Sequence, residues 1–285
     1  MKNYIDIMKV LVFGVGWIGE QFIFNTKHTV VIANTRPENF DEAFEEIHKI
    51  DPDCVISFLG RTHGTIDGKI IPSIDYLEGR LHENMRDNFY APFNLATICD
   101  KLGIHFVYLG TGCIYTGGKF TEDDKPNFFG SGYSIVKGYT DQVLRNFNIL
   151  QLRIRMPISK LVNGRNLIDK LISYPNICSM PNSMTVLDDM WTIIDKMIDV
   201  KECGVYNMTN PGTTEHDWIL HEYKKYNPDH TWKLIPYEEQ DIACGRSNNE
   251  MDTTKLEIFC DEYDIELLPI KESILRCFRL RFEYN

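Results

Sequence analysis

An α/β fold is predicted, with a parallel sheet, helices on both of its faces and a smaller lobe toward the carboxyl end. Three observations carry this. Short apolar runs alternate with helical stretches through the first half of the 285 residues, the pattern of parallel strands joined by crossover helices. Gly14, Gly16 and Gly19 fall between the first apolar run and the first helix. Beyond Met156 the text changes to short segments rich in Asn, Pro and Met, among them PNSMTVLDDM, VYNMTNPG and RSNNEMD.

Taken in order, residues 9–13 (KVLVF) read as a strand that runs into GVGWIG, and residues 17–25 as the helix after it. A second strand follows at residues 29–33 (TVVIA), a helix at 41–49 and a third strand at 54–58 (CVISF). A long helical stretch around 84–101, a strand at 104–109, a helix at about 131–145 and a strand at 150–154 complete a Rossmann-like sheet. We therefore expect a dinucleotide-binding domain over residues 1–157. A substrate-binding lobe of short strands and loops is expected over 158–285, with crossings of the chain back to the first domain. No internal repeat is visible.

With 43% hydrophobic and 25% charged residues, the composition is that of a globular protein with a sizeable core. A net charge of -11 weighs against nucleic acid or an anionic membrane as partner, since polyanions are held by basic patches that release counterions. Eight cysteines lie scattered with no CxxC or Cys/His spacing, so neither a metal site nor a disulfide framework is expected. Reduced thiols, no run of about 20 apolar residues and no apolar leader before the first strand together predict a cytoplasmic protein without membrane segments.

The glycine triplet has a physical reading. The first glycine permits a tight turn, the second lets a pyrophosphate approach the backbone, and the third lets helix and strand pack closely. The helix start, with Trp17 and Ile18, adds partial positive charge for that anion. An acidic residue at the end of the second strand would hold the ribose hydroxyls of NAD. Here Ala33, Asn34, Thr35 and Arg36 follow, with no carboxylate before Glu38. An arginine can pair with a 2′-phosphate, so NADP is favoured through Arg36, which taken by itself also reads as a solvated loop residue.

Tyr133 and Lys137, in YSIVK, are four residues apart on a predicted helix and so share a face. A phenol of pKa about 10 is a poor acid, and a neighbouring ammonium is expected to lower that value. Tyr133 can then protonate a carbonyl oxygen as hydride arrives at its carbon, while Lys137 holds the nicotinamide ribose. Without the strand and glycine context, the pair would read as a surface accident. Thr111 follows a strand at its carboxyl end, where an open parallel sheet does its ligand chemistry, and either bonds a substrate ketone or caps a turn.

The order GVGWIG, GTGCIY, YSIVK resembles the extended short-chain dehydrogenases. PNFFGSGYS, RIRMPIS, PNSMTVLDD, YNMTNPG and RSNNEMDTTKL are similar to the epimerase-reductases that make UDP-L-rhamnose in plants, with counterparts in giant viruses. The resemblance runs from about Lys9 to beyond Glu272. It implies a UDP-4-keto-6-deoxy-D-glucose substrate, epimerised at C3 and C5 and reduced at C4 by NADPH. It also implies a homodimer and a separate 4,6-dehydratase to supply the ketone. Thr111, Tyr133 and Lys137 match the reducing residues, Cys113 and Lys170 those for epimerisation, and Asn88 an asparagine of the active-site helix.

Cys113 lies two residues after Thr111, so in an extended segment both side chains face one way. Without the resemblance it would read as a small buried hydrophobe. Arg155, Asn166, Arg246 and the backbone from Met184 to Val186 are candidates for the diphosphate and uracil, although Arg155 reads equally as a structural ion-pair partner. Two other functions stay open: a 4-reductase acting only on a ready-made dTDP- or UDP-linked 4-keto-rhamnose, and a non-catalytic NADP-binding regulator.

Overall fold

The computed structural model describes residues 7–240 and 242–283. Its central sheet contains six parallel strands, β1 (Lys9–Phe13), β2 (Thr29–Ile32), β3 (Cys54–Ser57), β6 (His105–Thr111), β8 (Leu150–Ile154) and β10 (Gly204–Asn207), while the short strands β4 (Gly64–Ile66), β5 (Lys69–Ile71), β7 (Lys119–Phe120) and β9 (Asn176–Ile177) lie outside it. The order across the sheet is β10-β8-β6-β3-β1-β2. Strand residues alternate between two cores. Val10, Val12, Ile56, Val107 and Leu152 face one, while Leu11, Phe13, Val55 and Phe106 face the other. A sheet covered on both faces buries its inner strands on both sides, which is why β3 and β6 read as continuous apolar runs, whereas the edge strand β2 is only partly buried.

Helices α1 (Trp17–Asn25), α7 (Leu187–Asp199) and α9 (Thr254–Glu262) cover the first face. The second is covered by α2 (Phe40–Ile50), α4 (Ala91–Leu102) and α5 (Gly132–Leu144). The sixth strand, GVYN, runs into VYNMTNPG and extends the sheet beyond the five strands read from the first half of the chain. A third core gathers α6 (Leu167–Ser173), α8 (His216–Lys224) and α10 (Ile270–Phe282). Among the described residues no helix is long and apolar enough to cross a membrane.

The helix expected around 84–101 is interrupted. Short α3 (Leu81–Met85) passes through a π-helical turn at Arg86–Tyr90 before α4 begins. Pro92 has no N–H to offer the carbonyl four residues back, that of Asn88, and the Thr140 hydroxyl of α5 donates to it instead at 2.8 Å. The break thereby ties this helix to the one that bears Tyr133 and Lys137.

Candidate active site

β6 runs two residues further than its apolar text, and Thr111 is its last residue. The chain then turns, and the Cys113 N–H donates to the Thr111 hydroxyl at 3.1 Å. Cys113 is therefore not in an extended segment, and it is the turn rather than strand alternation that sets it beside Thr111. Ser131 caps α5 by accepting from the Ser134 N–H at 3.1 Å, which starts the helix so that Tyr133 stands in its first turn and Lys137 one turn on. Both side chains are buried, and Tyr133 packs with Tyr76, Leu77 and Cys113.

Electrostatics around this group differ from expectation at one point. Burial pushes the Tyr133 phenol up, Cys113 adds to the rise, and the hydrogen bond with Thr111 opposes it. The lowering expected from an adjacent ammonium is overturned, because Lys137 Nζ donates instead to the Tyr108 hydroxyl and lies 4.7 Å from the centre of that ring. Burial pushes Lys137 down to about 8 against the pull of Asp141 and Cys113. Lys170, on α6, belongs to a second group, and its pKa is lowered by burial and by Arg165 and Arg246.

The glycine turn fits a dinucleotide. Gly14 has φ of 91°, and a Cβ on Gly19 would stand 2.3 Å from the Gly14 carbonyl oxygen, so neither accepts a side chain. Gly16 opens α1 with no side chain among the described residues capping it, and of those residues a Cβ there would meet only Arg165 Nη1, at 3.7 Å. Trp17 sits in the core and Ile18 packs against it, leaving the mouth of the turn to backbone. Arg36 is exposed, 3.5 Å from Glu38. A carboxylate does reach the end of β2, from α2: Glu46 accepts from the Asn34 and Thr35 amides at 2.8 and 2.9 Å and from both side chains. Those bonds occupy its lone pairs, so it is not aimed at a ribose.

Most polar residues expected on the substrate are committed to the scaffold. Asn166 caps α6, accepting from the Ile168 amide and donating to the Ser159 and Leu161 carbonyls at 2.6 and 2.9 Å. Arg155 is buried and donates to Asn182, Ser247 and the Asn249 carbonyl, so its partners are neutral acceptors rather than an ion-pair carboxylate. Met184 and Val186 lie in the third core, where Asn210 bonds the carbonyl of one and the amide of the other. Asn88 holds the Arg61 backbone through its amide group, at 3.0 Å in both directions. Arg246 pairs with Asp75 at 2.6 Å. In a sequence, a buried polar residue that serves a loop looks the same as one that serves a ligand.

Three residues of the site were not read from the sequence: Tyr108, which bonds Lys137, and Arg165 with His63, whose Nη2 and Nε2 are 2.5 Å apart. Tyr108 was legible only as an apolar strand residue. The other two come from loops 102 positions apart, whose meeting no local pattern announces.

No protein-family model matches the chain. Protein L780 of Acanthamoeba polyphaga mimivirus is 44% identical over 287 residues, covering 94% of this chain and 98% of its own. The crystal structure of that protein, described as a UDP-rhamnose synthase, superposes with a TM-score of 0.89 at 43% identity, covering 95% of this chain and 99% of the other. The chain belongs to the extended short-chain dehydrogenase/reductase family, close to the UDP-rhamnose synthases. This short-chain reductase is also 36% identical over 284 residues to a bifunctional dTDP-4-dehydrorhamnose 3,5-epimerase/reductase of Arabidopsis thaliana, with 93% and 91% of the two chains covered. A trifunctional Arabidopsis protein, RHM2, whose name adds UDP-glucose 4,6-dehydratase, is 37% identical over 94% of this chain and only 41% of its own length.

Proposed function

We propose that the protein is a bifunctional 3,5-epimerase and NADPH-dependent 4-reductase that converts UDP-4-keto-6-deoxy-D-glucose to UDP-L-rhamnose. The observation that carries this reading is the convergence of Thr111, Cys113, Tyr133 and Lys137 at one strand end. Thr111 and Tyr133 donate to the ketone oxygen, which acidifies the protons on both neighbouring carbons. Cys113, as thiolate, removes one of them to leave an enolate, and the Lys170 ammonium returns a proton from the opposite face. Burial among cations makes that ammonium a readier donor. Thiol and amine then exchange with water, and the cycle repeats at the second carbon.

Reduction follows at C4. Gly14, Gly16 and Gly19 with the start of α1 would hold the diphosphate of a dihydronicotinamide cofactor, which when bound would supply the hydride for that carbon. Tyr133 gives its proton to the oxygen, and its raised pKa keeps that proton in place until then. Lys137 holds the ribose and balances the phenolate left behind. Arg36, exposed beside the end of β2, takes the 2′-phosphate. The protein works as a cytoplasmic homodimer, and a 4,6-dehydratase activity supplies the ketone.

Purified protein with the keto sugar and NADPH should oxidise the cofactor and yield UDP-L-rhamnose. In heavy water without NADPH it should place deuterium at C3 and C5, and Cys113→Ala should abolish that uptake while still reducing UDP-4-keto-L-rhamnose. Absence of turnover overturns the reading. Reduction of the ready-made keto-rhamnose with no exchange by the wild type reduces it to a 4-reductase.

A further inference from the structure

Arg165 stands in the loop ahead of α6, yet its guanidinium covers the glycine turn between β1 and α1. Among the described residues, apart from its chain neighbours, Arg165 Nη1 is the only atom within 4 Å of the place a Cβ on Gly16 would occupy. Nη2 of the same side chain lies 2.5 Å from His63 Nε2. Arginine keeps its protons, so His63 accepts there as neutral imidazole. Burial lowers the His63 pKa, and Arg165, Arg61 and Lys170 each lower it further.

This gathering of cations is unfavourable in isolation, on a chain whose net charge is -11. Arg61 is paired with Asp87 and Arg246 with Asp75. Among the described residues no ion pair joins Arg165 or Lys170 to a carboxylate. The missing charge is an anion, and the turn beneath Arg165 is built for one.

We infer that Arg165 is a ligand of the cofactor diphosphate, closing over it from the carboxyl-terminal part of the chain while His63 fixes the guanidinium from behind. The planar fork of arginine matches two phosphate oxygens at once, which an ammonium does not. The inference rests on the NADPH reading above and adds to it a contact from outside the glycine motif. The diphosphate of the nucleotide sugar offers the same chemistry, so the test separates the two.

NADPH, adenosine 2′-monophosphate and UDP are titrated by fluorescence or calorimetry against wild type, Arg165→Gln and Arg165→Lys. Arg165 is exposed, so the variants should melt with the wild type. The Kd for NADPH should rise about tenfold or more in Arg165→Gln and less in Arg165→Lys, whereas the monophosphate, which lacks the diphosphate, and UDP should stay within about twofold. An unchanged NADPH Kd, an equal loss for the monophosphate, or a loss confined to UDP each overturns the inference. A wild type that fails to bind NADPH overturns the cofactor reading itself.

Discussion

Lys137 is a buried cation held by a neutral partner. Its Nζ donates to the Tyr108 hydroxyl from β6, Tyr133 and Asp141 share its helix, Cys113 approaches from the turn, and the backbone of Gly60 lies close by after β3. Asp141 is claimed by Arg153 through both oxygens, at 2.7 and 2.8 Å, so it gives Lys137 only part of its charge. Removing the Tyr108 hydroxyl while keeping the ring takes away an acceptor that favours the ammonium, and the Lys137 pKa must fall below its present value of about 8. The ammonium is the form that holds the ribose and balances the phenolate, so activity is lost as pH rises through its pKa. The kcat/KM for reduction should therefore decline on the alkaline side near pH 8 in the wild type. In Tyr108→Phe that decline should begin about one unit lower. A variant with lower activity and an unmoved alkaline limb would mean that Tyr108 only packs.

β6 carries a second titrating group at its other end. His105 is buried at the strand start with its Nε2 unpaired among the described residues, and burial, with a smaller push from Lys201, takes its pKa down to about 4. In the unfolded chain it titrates near 6.5, so between these values the unfolded state binds a proton that the folded state refuses. Stability from this residue is present above about pH 6.5 and falls with pH toward 4, by about 2 kcal/mol at pH 5. Urea unfolding at pH 7 and pH 5 measures it, and His105→Gln should remove that part of the pH dependence. An equal loss in the variant would assign the effect elsewhere. The strands themselves were legible because two-sided burial writes them as apolar runs, and Tyr133 with Lys137 because helical spacing is local. Pro92 was visible in the sequence, but the π turn it accompanies depends on Thr140 reaching Asn88 from another helix. The sixth strand was hidden because it has four residues at a sheet edge, and Asn207 within it bonds the Phe120 and Asp252 carbonyls. The polarity of Arg155 and Asn166 is visible in the sequence, and the loop groups they bond are not.

Across the whole molecule, the two halves of the chain share one core. Leu187, Met190, Trp191, Ile194 and Met197 of α7 pack with Val10, Val12, Phe22 and Ile56, and β10 closes the sheet beside β8. Asp195 of α7 adds polar contacts, accepting from the Thr26 hydroxyl at 2.6 Å and the Lys27 amide at 2.9 Å. Residues 1–157 alone would leave one sheet face without α7 and α9, exposing a row of apolar strand residues to water. Such a fragment should not fold, since the burial that offsets chain entropy is missing from that face. Trp191 lies edge-on to Phe22 at 6.3 Å in the middle of this shared core. Trp191→Ala should cost roughly 3–5 kcal/mol and lower the stability of both halves together. Urea unfolding of the full chain, followed by fluorescence and by far-ultraviolet dichroism, should give coincident transitions in wild type and variant. A fragment 1–157 with dispersed amide resonances and its own cooperative melt would show instead that the first half is complete without the second.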